Sequence, residues 1–387
     1  MSLKRKFVRN WGRLDMKCKL EDICCFRKEK VEVENLNTQN YISTENMLSN
    51  KRGITGASSL PTVLLTQKYK KDDVLVSNIR PYFKKIWQAK YDGGCSNDVL
   101  VFVPDSNIDK DFLYYVLADD DFFTYSMATS KGTKMPRGDK VSIMQYEVPL
   151  FDLHTQKKIA SILKSLDEKI ELNNKINNNL EQQAQEIYQQ MFIDNAASNW
   201  KEGTLSDIAD IIMGQSPSGS SYNEESIGTI FFQGRAEFGF RFPTVRLFTT
   251  EPKRMACAND TLTSVRAPVG DLNVAHTDCC IGRGLAAIHS KTNHQSFVLY
   301  TMFSLKKQLD VFNGEGTVFG SINRNSLNVM PILIPSDEKL DEFEGIVAPM
   351  DTAIRNNYDE ICRLQQIRDS LLPKLMSGEI DVSDIEL

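Results

Sequence analysis

Leu153 to Phe192 reads LHTQKKIASILKSLDEKIELNNKINNNLEQQAQEIYQQMF. Steps of four and three from Ile159 reach Leu163, Leu166, Ile170, Asn173, Asn177, Leu180, Ala184, Ile187 and Met191. Heptad spacing puts all of them on one stripe of a helix, and such a stripe must be buried against a partner. A second stretch repeats the pattern. From Phe343 the same steps reach Val347, Met350, Ile354, Asn357, Ile361, Leu364, Arg368, Leu371 and Leu375. The spacing predicts two long helices packed on each other. Their coiled-coil core is expected to hold Leu163, Leu166, Ile170, Asn173, Leu180 and Ile187 from the first stretch. Met350, Ile354, Asn357, Ile361, Leu364 and Leu371 would come from the second. Asn173 and Asn357 fall at matched layers, where a buried amide lowers stability but penalises wrong registers. A helix over residues 156–192 would reach ~55 Å at about 1.5 Å per residue, which is the length of a spacer. Two features cut against the pattern. The run Asn173–Asn179 is a poor helix former and could break the first helix. In the second, Pro349 is expected to begin a new helix and Pro373 to kink the last turn.

Outward from these stretches, the chain says the same thing twice. Leu166-Asp-Glu-Lys-Ile170 matches Met350-Asp-Thr-Ala-Ile354, and Leu180-Glu-Gln-Gln183 matches Leu364-Gln-Gln-Ile367. Leu20-Glu-Asp-Ile23 matches Leu205-Ser-Asp-Ile208, and Phe112-Leu-Tyr-Tyr115 echoes Phe297-Val-Leu-Tyr300. Asp73-Val-Leu-Val-Ser-Asn-Ile-Arg-Pro81 resembles Asp260-Thr-Leu-Thr-Ser-Val-Arg-Ala-Pro268. The offset stays near 185, too long for a solenoid, so it reads as a duplicated globular domain with one long helix after each copy. The expected boundaries are residues 1–150 and 200–335 for the globular parts, with helical segments at 151–199 and 336–387. The globular parts look mixed. Short strands are expected at Val74–Ser77, Val99–Val103, Thr229–Phe232 and Leu285–Ile288. Helices are expected at Asp111–Tyr125 and His294–Phe312, and a flexible loop at Gly214–Ser221.

The composition excludes several classes. The chain has 387 residues, 41% hydrophobic and 25% charged, so it is neither wholly disordered nor collagenous. It contains no apolar run of about 18 residues, and its basic start, Met1–Arg13, has no apolar core of a secretory signal behind it. Eight cysteines without a Cys-x-x-Cys pair suggest reduced thiols in a cytoplasm rather than zinc or disulfides. Net charge is −5, but the acid is unevenly placed. Residues 1–150 carry 24 basic and 19 acidic groups, and residues 200–335 carry 12 of each. Residues 336–387 carry 5 basic and 13 acidic groups. The globular parts are therefore neutral to basic, whatever the global balance says.

No catalytic pattern stands out. A Gly-x4-Gly-Lys-Ser/Thr loop, a Gly-x-Ser-x-Gly elbow and a His-Glu-x-x-His pair are all missing, as is the Asn/Asp-Pro-Pro-Tyr/Phe signature of amino-methyltransferases. Gly314–Gly320 is Gly-rich but lacks a strand-turn-helix setting. What remains is a set of basic loops at equivalent places in the halves. In the first they hold Arg80, Lys84 and Lys85, and then Lys131, Thr133, Lys134 and Arg137. In the second they hold Arg266, and then Thr317, Ser321 and Arg324; Arg235 and Arg283 sit in further Gly-flanked turns. Arginine and lysine neutralise phosphates, and arginine also reads base edges. Gly and Ser let backbone N–H groups approach a phosphate. On the residues alone, a DNA reader, a scaffold that assembles other proteins and an enzyme with a cryptic site all stay open.

The stretches DTLTSVRAPVGDLNVAH (Asp260–His276) and DVLVSNIRPYF (Asp73–Phe83) resemble the specificity subunit of Type I restriction-modification systems. Leu153–Phe192 resembles that family's central conserved region, and MDTAIRNNYDEICRLQQIRDSLLPKLMSGEI (Met350–Ile380) its distal one. The resemblance implies an α+β protein with two pseudo-repeated target recognition domains, separated by two conserved helices packed as an antiparallel coiled coil. Each domain would read half of a split, asymmetric double-stranded DNA target. The helices would fix the unread gap and dock two methyltransferase subunits, with two restriction subunits completing the complex. This chain would carry no catalysis, cofactor or metal. S-adenosylmethionine, ATP and Mg would be used by the partner subunits. Base-reading residues vary with the target in this family, so the candidates above rest on loop chemistry and position.

Overall fold

The computed structural model describes residues 17–314 and 320–385. The chain divides into two compact units. Unit one takes the residues up to Glu171 together with those from Ile361 onward, and unit two is the continuous stretch Leu172–Glu360.

Among the described residues, ten strands belong to unit one. They are β1 (Lys17–Lys19), β2 (Cys24–Phe26), β3 (Lys30–Glu32), β4 (Tyr41–Ile42), β5 (Leu65–Tyr69), β6 (Val74–Ser77), β7 (Ile86–Gln88), β8 (Gly93–Cys95), β9 (Val99–Pro104) and β10 (Glu147–Pro149). One antiparallel sheet has the order β2-β9-β6-β7, with Leu75 opposite Val101. All four residues of β6 are buried, which is why Val74-Leu-Val-Ser reads as a run rather than an alternation. A second sheet has the order β3-β5-β8-β4, in which β4 and β8 run parallel. β1 pairs with β10.

Among the described residues, unit two has eleven strands. They are β11 (Lys201–Thr204), β12 (Ala209–Met213), β13 (Tyr222–Asn223), β14 (Thr229–Phe232), β15 (Leu247–Thr249), β16 (Met255–Ala256), β17 (Thr261–Ser264), β18 (Leu272–Val274), β19 (Cys279–Ile281), β20 (Leu285–Ser290) and β21 (Pro331–Ile334). The order β12-β20-β17-β18 reproduces the first sheet of unit one strand for strand. The order β13-β15-β14-β19-β16 keeps a parallel pair, β14 and β19, with an antiparallel neighbour, β16. That trio corresponds to β4, β8 and β5. The remainder differs: unit one extends beyond β5 to β3, whereas unit two extends beyond β14 to β15 and β13.

The helices after the sheets are shorter than their sequence suggests. Asp111–Tyr125 is not one helix but parts of two, Lys110–Ala118 and Asp120–Ala128. Asp119 separates them in an extended conformation, and its carboxylate accepts from the Asp121 N–H at 3.1 Å as an N-cap. His294–Phe312 likewise divides into Gln295–Ser304 and Lys306–Asp310, followed by a single 3-10 turn.

The two long helices are unbroken. The central one, Leu153–Tyr188, has 36 residues and spans about 54 Å. The distal one, Asp337–Ser377, has 41 residues and ends where Gly378 takes a left-handed φ of 75°. The asparagine run does not break the central helix. Asn173 and Asn177 are buried and hydrogen-bonded, so packing overrides weak propensity. Pro349 and Pro373 do not break the distal helix either, and both lie on its exposed side. The carbonyl that Pro349 leaves without a helical donor belongs to Gly345, which is also exposed and so can turn to water.

Burial follows the heptad stripes. Leu163, Ile170, Asn173, Ile354 and Ile361 are buried. Leu166, Leu180, Ile187, Met350, Asn357, Leu364 and Leu371 are half-buried. Within each unit the helices run antiparallel. In unit one, Asp167 of the central helix meets Arg368 of the distal helix at 2.7 Å. In unit two, Asn173 donates to Glu360 at 2.7 Å and Asn357 to Asn177 at 2.8 Å. Asn173 and Asn357 thus occupy equivalent layers without bonding each other. The cores confirm that the helices are integral to both units. Leu163, Leu372, Leu375 and Val382 join the sheet side chains of unit one, and Ala184, Tyr188, Phe343 and Ile354 join those of unit two.

Candidate nucleic-acid interface

In unit one the fold brings two distant basic loops together. The Arg80 N–H donates to the Pro136 carbonyl at 2.8 Å, and the Gly138 N–H to the Asn78 carbonyl at 3.0 Å. Ile79 and Arg137 form a β-bridge, as do Lys131 and Arg137. Asn50 and Lys51 join through N–H donation to the carbonyls of Phe83 and Lys84. Asn50, Lys51, Arg80 and Lys84 all have φ between 49° and 60°. Four left-handed non-glycine residues in two touching loops store backbone strain, which recurs at functional sites.

The side chains divide by role. Arg80, Thr133 and Lys134 are exposed, with no hydrogen-bond or ion-pair partner among the described residues. Arg137 pairs with Asp98 at 2.7 Å while remaining exposed. Lys131 pairs with Asp139 at 2.9 Å. That bond, with those from Ser142, holds the Asp139 carboxyl down at about 2. Lys84 and Lys51 both reach Asp120 at 2.8 Å. Burial works against the Asp120 charge, but the two ammonium groups outweigh it and keep its carboxyl below the ordinary range. Lys85 turns inward, donates to the Thr44 carbonyl at 2.6 Å, and is pushed down by burial. It serves the scaffold rather than the surface.

Unit two repeats the geometry. The Ala267 N–H donates to the Gly320 carbonyl at 3.0 Å, as Arg80 does to Pro136. Arg266 bridges Ser321, as Ile79 bridges Arg137. The equivalent of Arg80 is therefore Ala267, and the arginine of the second half sits one residue earlier. Three further loops converge here. The Val265 N–H donates to the Gly284 carbonyl at 2.9 Å, and the Gly284 N–H to the Gln233 carbonyl at 3.3 Å. A Cβ at Gly284 would lie 2.8 Å from that Gln233 oxygen, so only glycine lets the two turns touch. The Arg283 N–H donates to Ser216 Oγ at 3.2 Å, which brings in the Gly/Ser-rich loop.

Arg266, Arg283, Ser321 and Arg324 are exposed, and the three arginines have no side-chain partner among the described residues. Arg324 opens the short helix Arg324–Asn328, capped by Asn323. Arg235 is spoken for by an ion pair with Asp271. Thr317 and the basic Met1–Arg13 lie outside the described residues. Among the described residues, no group of three His, Cys, Asp or Glu side chains is placed to hold a metal, and no helix is long and apolar enough to cross a membrane.

Sequence reasoning missed Asn50, Lys51, Ser216 and Gln233. Each matters through a contact with a loop 30 to 70 residues away, and no local pattern announces that. It also missed Arg241, a buried residue of the globular part of unit two that pairs with both long helices, at Glu181 and at Asp351.

Comparison with known proteins agrees with this architecture. Residues 15–182 match the family model of the Type I restriction modification DNA specificity domain. The chain is 30% identical over 307 residues to the putative type I restriction enzyme MjaX specificity subunit of Methanocaldococcus jannaschii, covering 74% of this chain and 72% of that one. It is 25% identical over 450 residues to the type I restriction enzyme HindI specificity subunit of Haemophilus influenzae, covering 88% and 94%. The crystal structure of the Type I restriction-modification S subunit from M. genitalium has the same fold. Its TM-score is 0.61 at 17% identity, over 95% of this chain and 96% of that one. The chain belongs to the family of type I restriction enzyme specificity subunits. As such it is a DNA-binding, non-catalytic part of a restriction–modification complex.

Proposed function

We propose that this subunit reads a bipartite, asymmetric double-stranded DNA target, one half-site per unit. The observation that carries the reading is the repeated loop pair. Arg80 with Lys131–Arg137 in unit one, and Arg266 with Ser321–Arg324 in unit two, occupy equivalent places, and each pair presents unpaired exposed arginine or lysine. Exposed guanidinium groups on glycine- and serine-bearing loops suit both phosphate contact and base-edge reading. The recognition domains would be residues 1–150 and 200–335, with 151–199 and 336–387 as the helical segments between and after them.

The long helices contribute to the cores of both units, which suits them to fix the unread gap between half-sites. They also offer a surface for docking two methyltransferase and two restriction subunits in the cytoplasm. Those partners would bind S-adenosylmethionine, ATP and Mg; this chain would hold none of them. The deciding experiment is long-read methylation sequencing of host DNA with and without this gene. Loss of one split motif on deletion supports the reading and gives both half-sites and the gap. If every motif persists while the methyltransferase partners are expressed, the reading fails.

A further inference from the structure

Both halves place the same tyrosine–aspartate pair at the same step of the repeat. Tyr115 donates to Asp167 Oδ2 at 2.8 Å, and Tyr300 donates to Asp351 Oδ1 at 2.9 Å. Each tyrosine lies on the first helix after the sheets of its unit, buried at 3% and 1% exposure. Each aspartate lies on a long helix, Asp167 on the central and Asp351 on the distal. Burial pushes both phenols up, so each remains a donor. In each unit a globular part is thereby tied to a long helix through one buried hydroxyl.

The cation that completes the pair differs between the halves. In unit one it is Arg368, which joins the distal helix to the central helix at Asp167. In unit two it is Arg241, which comes from the globular part and is 4% exposed. Its guanidinium reaches Asp351 at 3.1 Å, Glu181 at 3.3 Å and the Tyr300 hydroxyl at 3.1 Å. Glu181 is on the central helix and Asp351 on the distal helix. One planar group therefore ties the globular part to both helices at once, which a point charge does less rigidly. Arg241 Nε is buried without a hydrogen-bond partner. The side chain is thus held where the two carboxylates require it, not where all its own donors are satisfied.

We propose that Arg241 is a positioning residue for the second half-site. It fixes the second recognition domain against both helices, and so sets which gap between half-sites the complex accepts. The proposal rests on the bipartite DNA reading above. Among the described residues Arg368 bonds Asp167 and its neighbour Asp369, so in unit one the tie to the globular part runs through Tyr115 and Asp167 rather than through the cation itself. A second domain taken from a relative would need a cation at the Arg241 position; without one, the half-buried carboxylates of Glu181 and Asp351 would lose their shared cation.

The test uses the full chain assembled with its methyltransferase subunits. Methylation is measured on DNA carrying the native half-sites at the native gap and at one base pair shorter and longer. Arg241→Met is expected to raise methylation of the off-gap DNA relative to native-gap DNA about ten-fold, a shift the size of one lost charge-assisted bond. Base preference within each half-site should stay unchanged, and Arg241→Lys should restore part of the gap preference. The triple variant Arg241→Met, Glu181→Gln, Asp351→Asn leaves neither half-buried carboxylate without its cation and should show the same relaxed gap. An unchanged gap ratio in that variant, with activity falling evenly on all three DNAs, overturns the proposal. A wild-type complex that methylates no split motif would instead refute the bipartite reading itself.

Discussion

The amide pair between the long helices offers a sharp test of why polar groups sit in that core. Asn357 donates to Asn177 Oδ1 at 2.8 Å, and Asn177 is 2% exposed. Replacing Asn357 alone with leucine removes the donor and leaves a buried acceptor without a partner, which costs about 1–3 kcal/mol. The added leucine surface returns about 1 kcal/mol of that at partial burial. The expected net loss is about 0–2 kcal/mol, centred near 1 kcal/mol. Replacing Asn177 and Asn357 together removes both polar groups, which is close to neutral or stabilising. Unit two, Leu172–Glu360, is in the size range where 1 kcal/mol moves the Tm by about 2–4 °C. Asn357→Leu should therefore lower the Tm of unit two by about 2–4 °C at the central value and by at most about 8 °C, and the double variant should return to within about 2 °C of the parent. Calorimetry on the four proteins of the double-mutant cycle measures the coupling, expected at about 1–2 kcal/mol. If the double variant is as unstable as the two singles added together, the amides are not satisfying each other and the argument for a specificity layer fails.

Other outcomes follow from the same structure. Phe343 is fully buried in the core of unit two, so Phe343→Ala should cost about 3–5 kcal/mol and be visible as a large loss of melting temperature. Arg80→Ala and Arg266→Ala touch exposed side chains, so each should change stability by no more than about 0.5 kcal/mol. Each should impair recognition of a different half-site in a methylation assay on half-site libraries; an equal effect on both half-sites would count against one reader per unit. Exchanging residues 200–335 for a relative's domain that keeps a cation at position 241 should change one half-site in methylation sequencing and leave the other. Asp139 has a depressed pKa in the folded chain, so its tie to Lys131 contributes stability above about pH 4 and loses it as pH falls toward 2. A titration of the Asp139 carboxyl by NMR should show this, and Lys131→Met should move the midpoint upward.

The helices were legible because their information is periodic. The stripe from Ile159 to Met191 needs only the heptad to be seen. Pro349 was misjudged because propensity says what a residue does alone; it is tolerated within one continuous helix on an exposed face, which depends on what lies opposite. Asp119 was visible as part of an acidic run, yet its role as a cap that splits one helix into two depends on a single backbone conformation. The loops were legible as chemistry but not as a site. Arg80 and Arg137 are recognisable as basic turn residues, while their adjacency arises from pairing across 57 positions of chain. Lys85 shows the converse: the same residue type in the same loop turns inward to the Thr44 carbonyl. Arg241 carried no local signal, because its partners Glu181, Tyr300 and Asp351 come from three separate elements.

Unit one is discontinuous: its core needs Leu163 and also Leu372, Leu375 and Val382. On a ribosome adding about 5–20 residues per second, the later group emerges some 10–40 s after the earlier one. Unit two is one uninterrupted stretch and can complete its own core during that wait. The nascent chain thus holds an unfinished first unit, with part of its apolar surface uncovered, while the second is already folding. The half of the protein made first is the half finished last, and it is the half a chaperone would have to shield.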